Sequence, residues 1–180
     1  MAVKITYFVH GTTLDNLEHK STGWLPGVLS EKGIKQSIDL KEQVDINQYD
    51  VVFCSDLKRA VDSAKYTFEG IKEIIQDERL RECNYGDYNG QDSSLANYET
   101  HIQDRFPNGE CMLDVEKRIQ SFCNYLLEHY DGKHIAIVAH KAPQLAFQVI
   151  TEGKSWKEAI DKDWRKTKSW QPGWEYHIHK

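Results

Sequence analysis

Short apolar segments alternate with segments of helical periodicity along most of the chain. Residues 3–9, 51–54 and 135–139 are apolar almost throughout, which is typical of strands buried on both faces. Weaker strand patterns occur at 74–76 and 174–179. Strands that alternate with helices predict an α/β fold, a three-layer α/β/α sandwich whose central sheet is largely parallel.

The segments between these strands carry apolar residues at helical spacing. Helices are predicted at 30–44, 55–64, 113–130, 143–150 and 158–164. Ser55 is expected to cap the second of them, because a serine hydroxyl can accept a hydrogen bond from a free N–H group in the first helical turn.

The organisation of the chain predicts a single domain over residues 1–180. That length can bury a sizeable core, and the sequence shows no internal repeat, linker or low-complexity segment. Residues 84–110 are polar and form the longest irregular stretch, which we interpret as a lid with a short helix near 95–105.

Composition narrows the class of protein. The chain is 39% hydrophobic and 28% charged, as in a soluble globular domain, and its net charge of -5 argues against a nucleic-acid partner. No apolar run approaches the roughly 20 residues of a membrane span, and the first strand leaves no room for a signal peptide. Four cysteines without a CxxC pair favour a reduced, cytoplasmic protein.

Four reactive side chains follow the predicted strand ends. His10 follows the first strand, Arg59 lies shortly after the second, Glu82 after the third and His140 after the fourth. Ligands bind at the carboxyl ends of strands in α/β sheets, so we expect these four residues to meet in one site. Singly, each residue type is common as a core histidine or a solvated charge, and the prediction depends on their coincidence.

The chemistry of these four residue types suits phosphoryl transfer. A neutral imidazole of His10 can attack phosphorus directly, and the guanidinium of Arg59 can bind two phosphoryl oxygens. Glu82 can protonate the leaving oxygen and then deprotonate an attacking water. His140 can donate a hydrogen bond to the equatorial oxygens in the transition state.

Five motifs occur in a characteristic order, although any one alone would be weak. They are His10-Gly11-Thr12 with Asn16, Ser55-x-Leu57-x-Arg59-Ala60, Leu80-x-Glu82 with Gly86 and Gly90, Pro107-x-Gly109-Glu110, and His140 after an apolar strand. Together they make the chain resemble the histidine phosphatase superfamily, the phosphoglycerate mutase-like group, over nearly its whole length. Residues 22–24 and 29–33 also resemble that family between the nucleophile and the first helix.

The resemblance implies residue roles and an activity. His10 would be the phosphorylated nucleophile and Glu82 the acid/base, while Asn16 joins Arg59 and His140 around the phosphate. Thr22 and Gly23 would lie near a small phosphorylated substrate. The family uses no metal, so the resemblance implies neither a metal nor another cofactor. This implies a histidine-type acid phosphatase that hydrolyses phosphomonoesters.

The chain departs from the family pattern beside the nucleophile. The family has Arg-His-Gly-Glu-Thr, whereas Val9 stands here at the arginine position and Thr12 at the glutamate position. Loss of one preorganised donor can cost about 10²–10³-fold in rate. We hypothesise that Lys141, which follows His140, supplies the missing cation. Arg165 or Lys166 could supply it instead, and Lys141 could equally be an ordinary surface lysine.

Two other functions stay open. Phosphoglycerate mutase-type phosphoryl transfer is one alternative, although mutases of this family tend to be longer than 180 residues. A catalytically weakened module that binds phospho-ligands or regulates a partner is the other, and the missing arginine motivates it. The substrate is not predicted, and an aromatic surface near the C-terminus could pair two chains as a homodimer.

Overall fold

The computed structural model describes residues 1–180 and contains one five-stranded and one two-stranded sheet. The strands are β1 (Ala2–Val9), β2 (Lys20–Ser21), β3 (Val51–Cys54), β4 (Ile74–Gln76), β5 (Gln91–Asp92), β6 (His134–Ala139) and β7 (Trp174–His179). The helices are α1 (Leu14–Leu17), α2 (Glu31–Gln43), α3 (Lys58–Phe68), α4 (Met112–His129), α5 (Lys141–Glu152), α6 (Trp156–Asp161) and α7 (Trp164–Thr167).

The main sheet has the strand order β4-β3-β6-β1-β7. Every neighbouring pair in it runs parallel except β1 and β7, which are antiparallel, so β7 forms an edge. Strands β2 and β5 pair separately near the start of the irregular region. The predicted α/β fold with a largely parallel sheet is therefore confirmed.

Both faces of the main sheet are covered, which explains why its central strands are mostly apolar. On one face, Phe53 of β3 packs edge-on against Phe122 of α4, with ring centroids 5.3 Å apart. On the opposite face, Phe8 of β1 packs against Phe68 of α3 at 6.0 Å. Successive strand residues alternate between these two cores, which leaves few positions for polar side chains, and the polar residues Lys4 and Thr6 of β1 are only half-buried.

Two of the predicted helices differ most from those observed. Helix α3 begins at Lys58, not at Ser55, because the N–H of Ser55 still donates to the carbonyl of Val138 and continues the pairing of β3 with β6. The hydroxyl of Ser55 accepts from the N–H of Leu57, so it stabilises the turn before the helix rather than capping the helix. The predicted helix at 158–164 is divided, because Asp163 separates α6 from α7 and caps α7.

The predicted short helix near 95–105 is wrong. The segment contains only the 3-10 turns Ser93–Leu95 and Glu99–His101. Side-chain oxygens of Asp92 and Asn97 each accept from the N–H group two residues ahead, and such local bonds compete with a continuous helix. No helix of the chain combines the length and apolar character that a membrane span requires.

Candidate active site

Strands β1 and β6 place two histidines side by side at the carboxyl edge of the sheet. Val9 and Ala139 are in register, and the N–H of His10 donates to the carbonyl of Ala139 over 3.0 Å. The next residue after each strand is a histidine, and the ring centroids of His10 and His140 are 5.1 Å apart. Parallel pairing thus joins two residues that are far apart in sequence.

The ring of His10 is oriented by its neighbour. Its Nδ1 lies 2.7 Å from the carbonyl oxygen of Gly11, and because a carbonyl only accepts, Nδ1 carries the proton. Burial, followed by the positive charge of Arg59, lowers the pKa of His10 to about 3, and Arg165 acts in the same direction. The imidazole is therefore neutral at physiological pH, with an unprotonated Nε2 that can act as a nucleophile.

His140 lacks hydrogen-bond partners inside the protein. The residue is fully buried, and neither Nδ1 nor Nε2 has a partner. The backbone is held by Tyr7, whose hydroxyl donates to the carbonyl of His140 over 2.6 Å and accepts from its N–H over 3.1 Å. Leaving buried polar atoms unpaired costs about 1–3 kcal/mol, and both ring nitrogens of His140 remain available to a ligand.

Arg59 lies on the first turn of α3 and is 2% exposed. Its Nη1 donates to the carbonyl of Leu25 over 2.9 Å, and its Nη2 donates to the carbonyl of Gly23 over 2.8 Å. These bonds fix the plane of the guanidinium and leave Nε without a protein partner. Burial lowers the pKa of Arg59, although its ordinary pKa is so high that it stays charged.

Glu82 presents one carboxylate oxygen to the protein and the other to the cavity. Its Oε1 accepts from the N–H of Cys83 over 2.9 Å, from the N–H of Ala142 over 3.0 Å and from the hydroxyl of Tyr98 over 3.3 Å. Ala142 belongs to the first turn of α5, whose N-terminus favours a negative group. Oε2 makes no bond within the chain, so it is available for proton transfer.

These residues line a cavity of about 450 Å³. It contains all eight residues that the sequence analysis selected, namely His10, Asn16, Thr22, Gly23, Arg59, Glu82, His140 and Lys141. The outer part of the cavity is formed by exposed residues, including His19 and Lys20, so the cavity opens to solvent, whereas His140 is fully buried.

The three smaller predicted residues are held by local bonds. The side-chain oxygen of Asn16 accepts from the N–H of Thr13, which leaves the amide nitrogen of Asn16 free to donate. The hydroxyl of Thr22 donates to Asp15 over 2.7 Å. Gly23 has a φ of +59°, and a Cβ at this position would lie 1.8 Å from the side-chain oxygen of Asn89, so only glycine fits.

Lys141 is the first residue of α5, directly after His140. Its ammonium lies 4.5 Å from the centre of the Tyr98 ring and 3.7 Å from a carboxylate oxygen of Asp163. Partial burial lowers the pKa of Lys141, and the charge of Asp163 opposes that shift. The ammonium of Lys141 is therefore held at the cavity wall by these contacts and is not freely solvated.

Sequence patterns did not identify Tyr98 or Asp163. Tyr98 lies in the irregular region, 16 positions from Glu82, and only the fold brings its hydroxyl to that carboxylate. Asp163 follows a short helix and is 1% exposed. A carboxylate next to Trp164 and Arg165 in an amphipathic stretch carries no motif, so its burial could not be predicted.

Comparison with known proteins identifies a matching family and similar structures. Residues 7–171 match the model of the histidine phosphatase superfamily, branch 1. The chain is 31% identical to adenosylcobalamin/alpha-ribazole phosphatase of Salmonella typhimurium, covering 73% of this chain and 71% of that protein. It is 26% identical to 2,3-bisphosphoglycerate-dependent phosphoglycerate mutase 2 of Gloeobacter violaceus, covering 73% and 67%. The structure of Bacillus stearothermophilus YhfR superposes with a TM-score of 0.79 at 23% identity, covering 87% and 83%.

Proposed function

The chain belongs to the histidine phosphatase superfamily, and from that membership we propose that it is a metal-independent phosphomonoesterase that acts through a phosphohistidine at His10. Its relatives include both phosphatases and phosphoglycerate mutases. The hydrolytic assignment is supported by the solvent-exposed outer part of the cavity, through which water can reach a phosphoenzyme.

In the first half of the proposed reaction, Nε2 of His10 attacks phosphorus. An N–P bond forms while the bond from phosphorus to the leaving oxygen breaks. Glu82, protonated at Oε2, donates its proton to that oxygen and becomes a carboxylate. Arg59, His140 and the amide nitrogen of Asn16 stabilise the charge that develops on the phosphoryl oxygens.

In the second half, Glu82 acts in the reverse sense. Its carboxylate removes a proton from water, the water oxygen bonds to phosphorus, and the N–P bond breaks. Inorganic phosphate leaves, and His10 and Glu82 return to their starting protonation states. One carboxyl group therefore serves both steps.

The observation that carries this proposal is the unsatisfied ring of His140. Its two nitrogens have no partner, yet it lies 5.1 Å from the ring of a neutral histidine that shares a cavity with a buried arginine. A phosphoryl group placed between the two imidazoles would accept a hydrogen bond from His140 while remaining within reach of His10. A purely structural role would not leave this imidazole without a partner.

Two finer features belong to the same proposal. Val9 takes the place of the arginine that precedes the nucleophile in the family, so the phosphoryl pocket has lost one guanidinium at that position. Lys141 restores part of the positive charge as a substrate-binding residue, and Thr22 and Gly23 shape the neighbouring wall. We further propose that residues 84–110 act as a lid of this one domain, since Tyr85, Ser93 and Tyr98 lie in the cavity wall.

The test is hydrolysis of p-nitrophenyl phosphate between pH 5 and 8 in the presence of EDTA. His10→Ala should abolish turnover, and acid-labile phosphate on wild-type protein should disappear with it in a rapid-quench assay. His177→Ala, which changes an exposed histidine on β7, is the matched control and should behave like wild type. Full activity of His10→Ala would refute the proposal.

Phosphoglycerate mutase activity is the second candidate, and the relative from Gloeobacter violaceus favours it. Incubation with 3-phosphoglycerate, with and without 2,3-bisphosphoglycerate, separates the two activities. Isomerisation faster than phosphate release would replace the phosphatase assignment. Binding of phosphate esters without turnover or phosphoenzyme would instead identify a weakened, ligand-binding member of the family.

A further inference from the structure

The loss of positive charge at Val9 raises the question of which side chain compensates for it. Val9 lines the cavity beside His10 but offers no hydrogen-bond donor. The cations in the cavity wall are Lys20, Arg59, Lys141 and Arg165. A role for one of these cations in phosphate binding would extend the proposed phosphatase function. The kinetic test of such a role rests on that function, whereas the binding test does not.

Most nearby cations already contact other groups or lie outside the cavity wall. Two nitrogens of Arg59 are bound to backbone carbonyls. The ammonium of Lys141 lies over the Tyr98 ring, on the side of the cavity where Tyr98 contacts Glu82. Lys166 pairs with Glu99 at 3.6 Å and is absent from the cavity wall. Arg59 is one guanidinium already assigned to the pocket, and neither lysine can present the planar pair of donors that a second guanidinium would provide.

Arg165 has the properties that the others lack. It lies in the cavity wall together with Val9 and His10, although it is 155 positions from the nucleophile. Its Nη1 donates to Asp163 over 3.0 Å, while Nε and Nη2 make no hydrogen bond within the chain. Apart from Arg59, it is the only cation among the groups that lower the pKa of His10, so its charge acts at the nucleophile.

Contacts with Asp163 and Trp164 fix the position of Arg165. Asp163 is 1% exposed, and its carboxylate accepts from both the backbone and the guanidinium of Arg165. The guanidinium also lies over the ring of Trp164, 4.3 Å from its centre. Trp164 is itself held, because its Nε1 donates to Gln144 over 3.1 Å. Such a preorganised guanidinium loses little entropy when it binds an anion.

We propose that Arg165 supplies the second guanidinium of the phosphoryl pocket, in place of the arginine lost at Val9, and that Asp163 positions it. The ligand class is the dianionic phosphoryl group itself, either on a substrate or as inorganic phosphate. The free Nε and Nη2 can bind two phosphoryl oxygens, a geometry that an ammonium cannot reproduce.

The experiment compares Arg165→Ala, Arg165→Lys and the neighbouring control Lys166→Ala. Calorimetry with inorganic phosphate measures binding without requiring turnover, and p-nitrophenyl phosphate, which carries no second anionic group, measures kcat/KM. Arg165→Ala should weaken phosphate binding at least tenfold and lower kcat/KM by about 10²–10³-fold. Arg165→Lys should recover only part of this loss, and Lys166→Ala should match wild type.

A second variant makes the assignment specific. Val9→Arg in the Arg165→Ala background returns a guanidinium to the family position, so it should restore phosphate binding. Asp163→Asn should weaken phosphate binding more in wild type than in the Arg165→Ala background, where only the contact of Asp163 with Lys141 remains to be lost. An equal loss in both backgrounds would contradict a positioning role through Arg165.

Each contrary result has a distinct meaning. Unchanged phosphate binding in Arg165→Ala would overturn the inference even if the protein hydrolyses esters by way of His10. A loss confined to substrates with a second anionic group, with p-nitrophenyl phosphate unaffected, would also overturn it. If wild type shows no turnover, the proposed function fails, and the phosphate-binding comparison still decides the role of Arg165.

Discussion

The residues at the carboxyl edge of the sheet and those around the outer pocket are held by different parts of the fold. The inner group consists of His10, Arg59, Glu82 and His140, and the outer group consists of Tyr98, Lys141, Asp163 and Arg165. His10 and His140 directly follow β1 and β6, whose hydrogen bonds fix their backbone. Arg59 lies on the first turn of α3, and Glu82 follows the 3-10 turn after β4. Outer residues come mainly from irregular segments and short helices, and side-chain contacts fix them.

This difference separates the residues proposed for phosphoryl transfer from the surrounding residues proposed to support them. Sheet register places His10 and His140 side by side, and bond-making steps require groups that are placed precisely. The outer group is held by side-chain contacts, which can change without disturbing the sheet. The outer group can therefore contribute a cation, as proposed for Arg165, without rebuilding the fold.

The largest expected effect is on an inner residue with no substitute. Glu82→Gln keeps the shape and the bonds to Oε1 but removes the proposed acid/base, so kcat should fall by about 10²–10⁴-fold. The loss should shrink for esters whose leaving group needs no proton, such as p-nitrophenyl phosphate, relative to alkyl phosphates. Steady-state kinetics with both ester types measures it.

The control for Glu82→Gln is Glu78→Gln, an exposed glutamate in the preceding 3-10 turn. It should leave both substrates unaffected. An equal loss for both ester types in Glu82→Gln would mean that this carboxylate stabilises the site rather than transferring a proton.

The second prediction concerns Arg59. Arg59→Lys retains the charge but cannot reproduce bonds to two carbonyls together with a phosphoryl contact, so kcat/KM should fall by about 10²-fold. The adjacent exposed residue supplies the control, since Lys58→Arg should be neutral. If Arg59→Lys lost less than Arg165→Lys, the distinction between the inner and outer groups would not hold for phosphate binding.

The same distinction explains how much the sequence could predict. His10, Arg59, Glu82 and His140 follow strands whose apolar character is visible in the chain, so strand ends alone indicated that they would meet. Tyr98 gave no such signal, because its position depends on a 3-10 turn and on the packing of its ring against Tyr85. Local propensity does not encode contacts of this kind.

Helix boundaries were missed for a related reason. The sequence predicted a helix from Ser55, but β-pairing extends to that residue and delays the helix to Lys58. Likewise, the apolar spacing at 158–164 predicted one helix, whereas burial of the Asp163 carboxylate interrupts it. In both places tertiary contacts override a local pattern.

A smaller effect is expected where the two groups touch. Tyr98→Phe removes the hydroxyl that contacts Glu82 at 3.3 Å and Tyr85 at 2.8 Å. Since one such bond contributes about 1 kcal/mol, kcat should fall roughly three- to tenfold with little change in KM. Tyr88→Phe, which changes a half-buried tyrosine without a side-chain hydrogen bond, is the control. A larger change in KM than in kcat would assign Tyr98 to substrate binding instead.

The smallest expected effect is that His10 does not titrate between pH 8 and pH 5. Burial and the charges of Arg59 and Arg165 lower the pKa of His10 to about 3, so its imidazole should stay neutral from pH 8 down to pH 5. NMR spectra of the histidine side chains, assigned with His10→Gln, should show no shift of His10 in that range. An exposed imidazole ordinarily titrates near 6.5.

The sign of the accompanying stability change follows from linkage. In the unfolded chain His10 takes up a proton near pH 6.5, whereas in the folded chain it does so only near pH 3. The unfolded state therefore binds more protons as the pH falls between these values, and the free energy of unfolding decreases. His10→Gln should make that decrease shallower in denaturant titrations at successive pH values. If instead His10 titrates near 6.5, the inner group is more hydrated than its contacts indicate, and the strand-end position would not suffice to keep the nucleophile neutral.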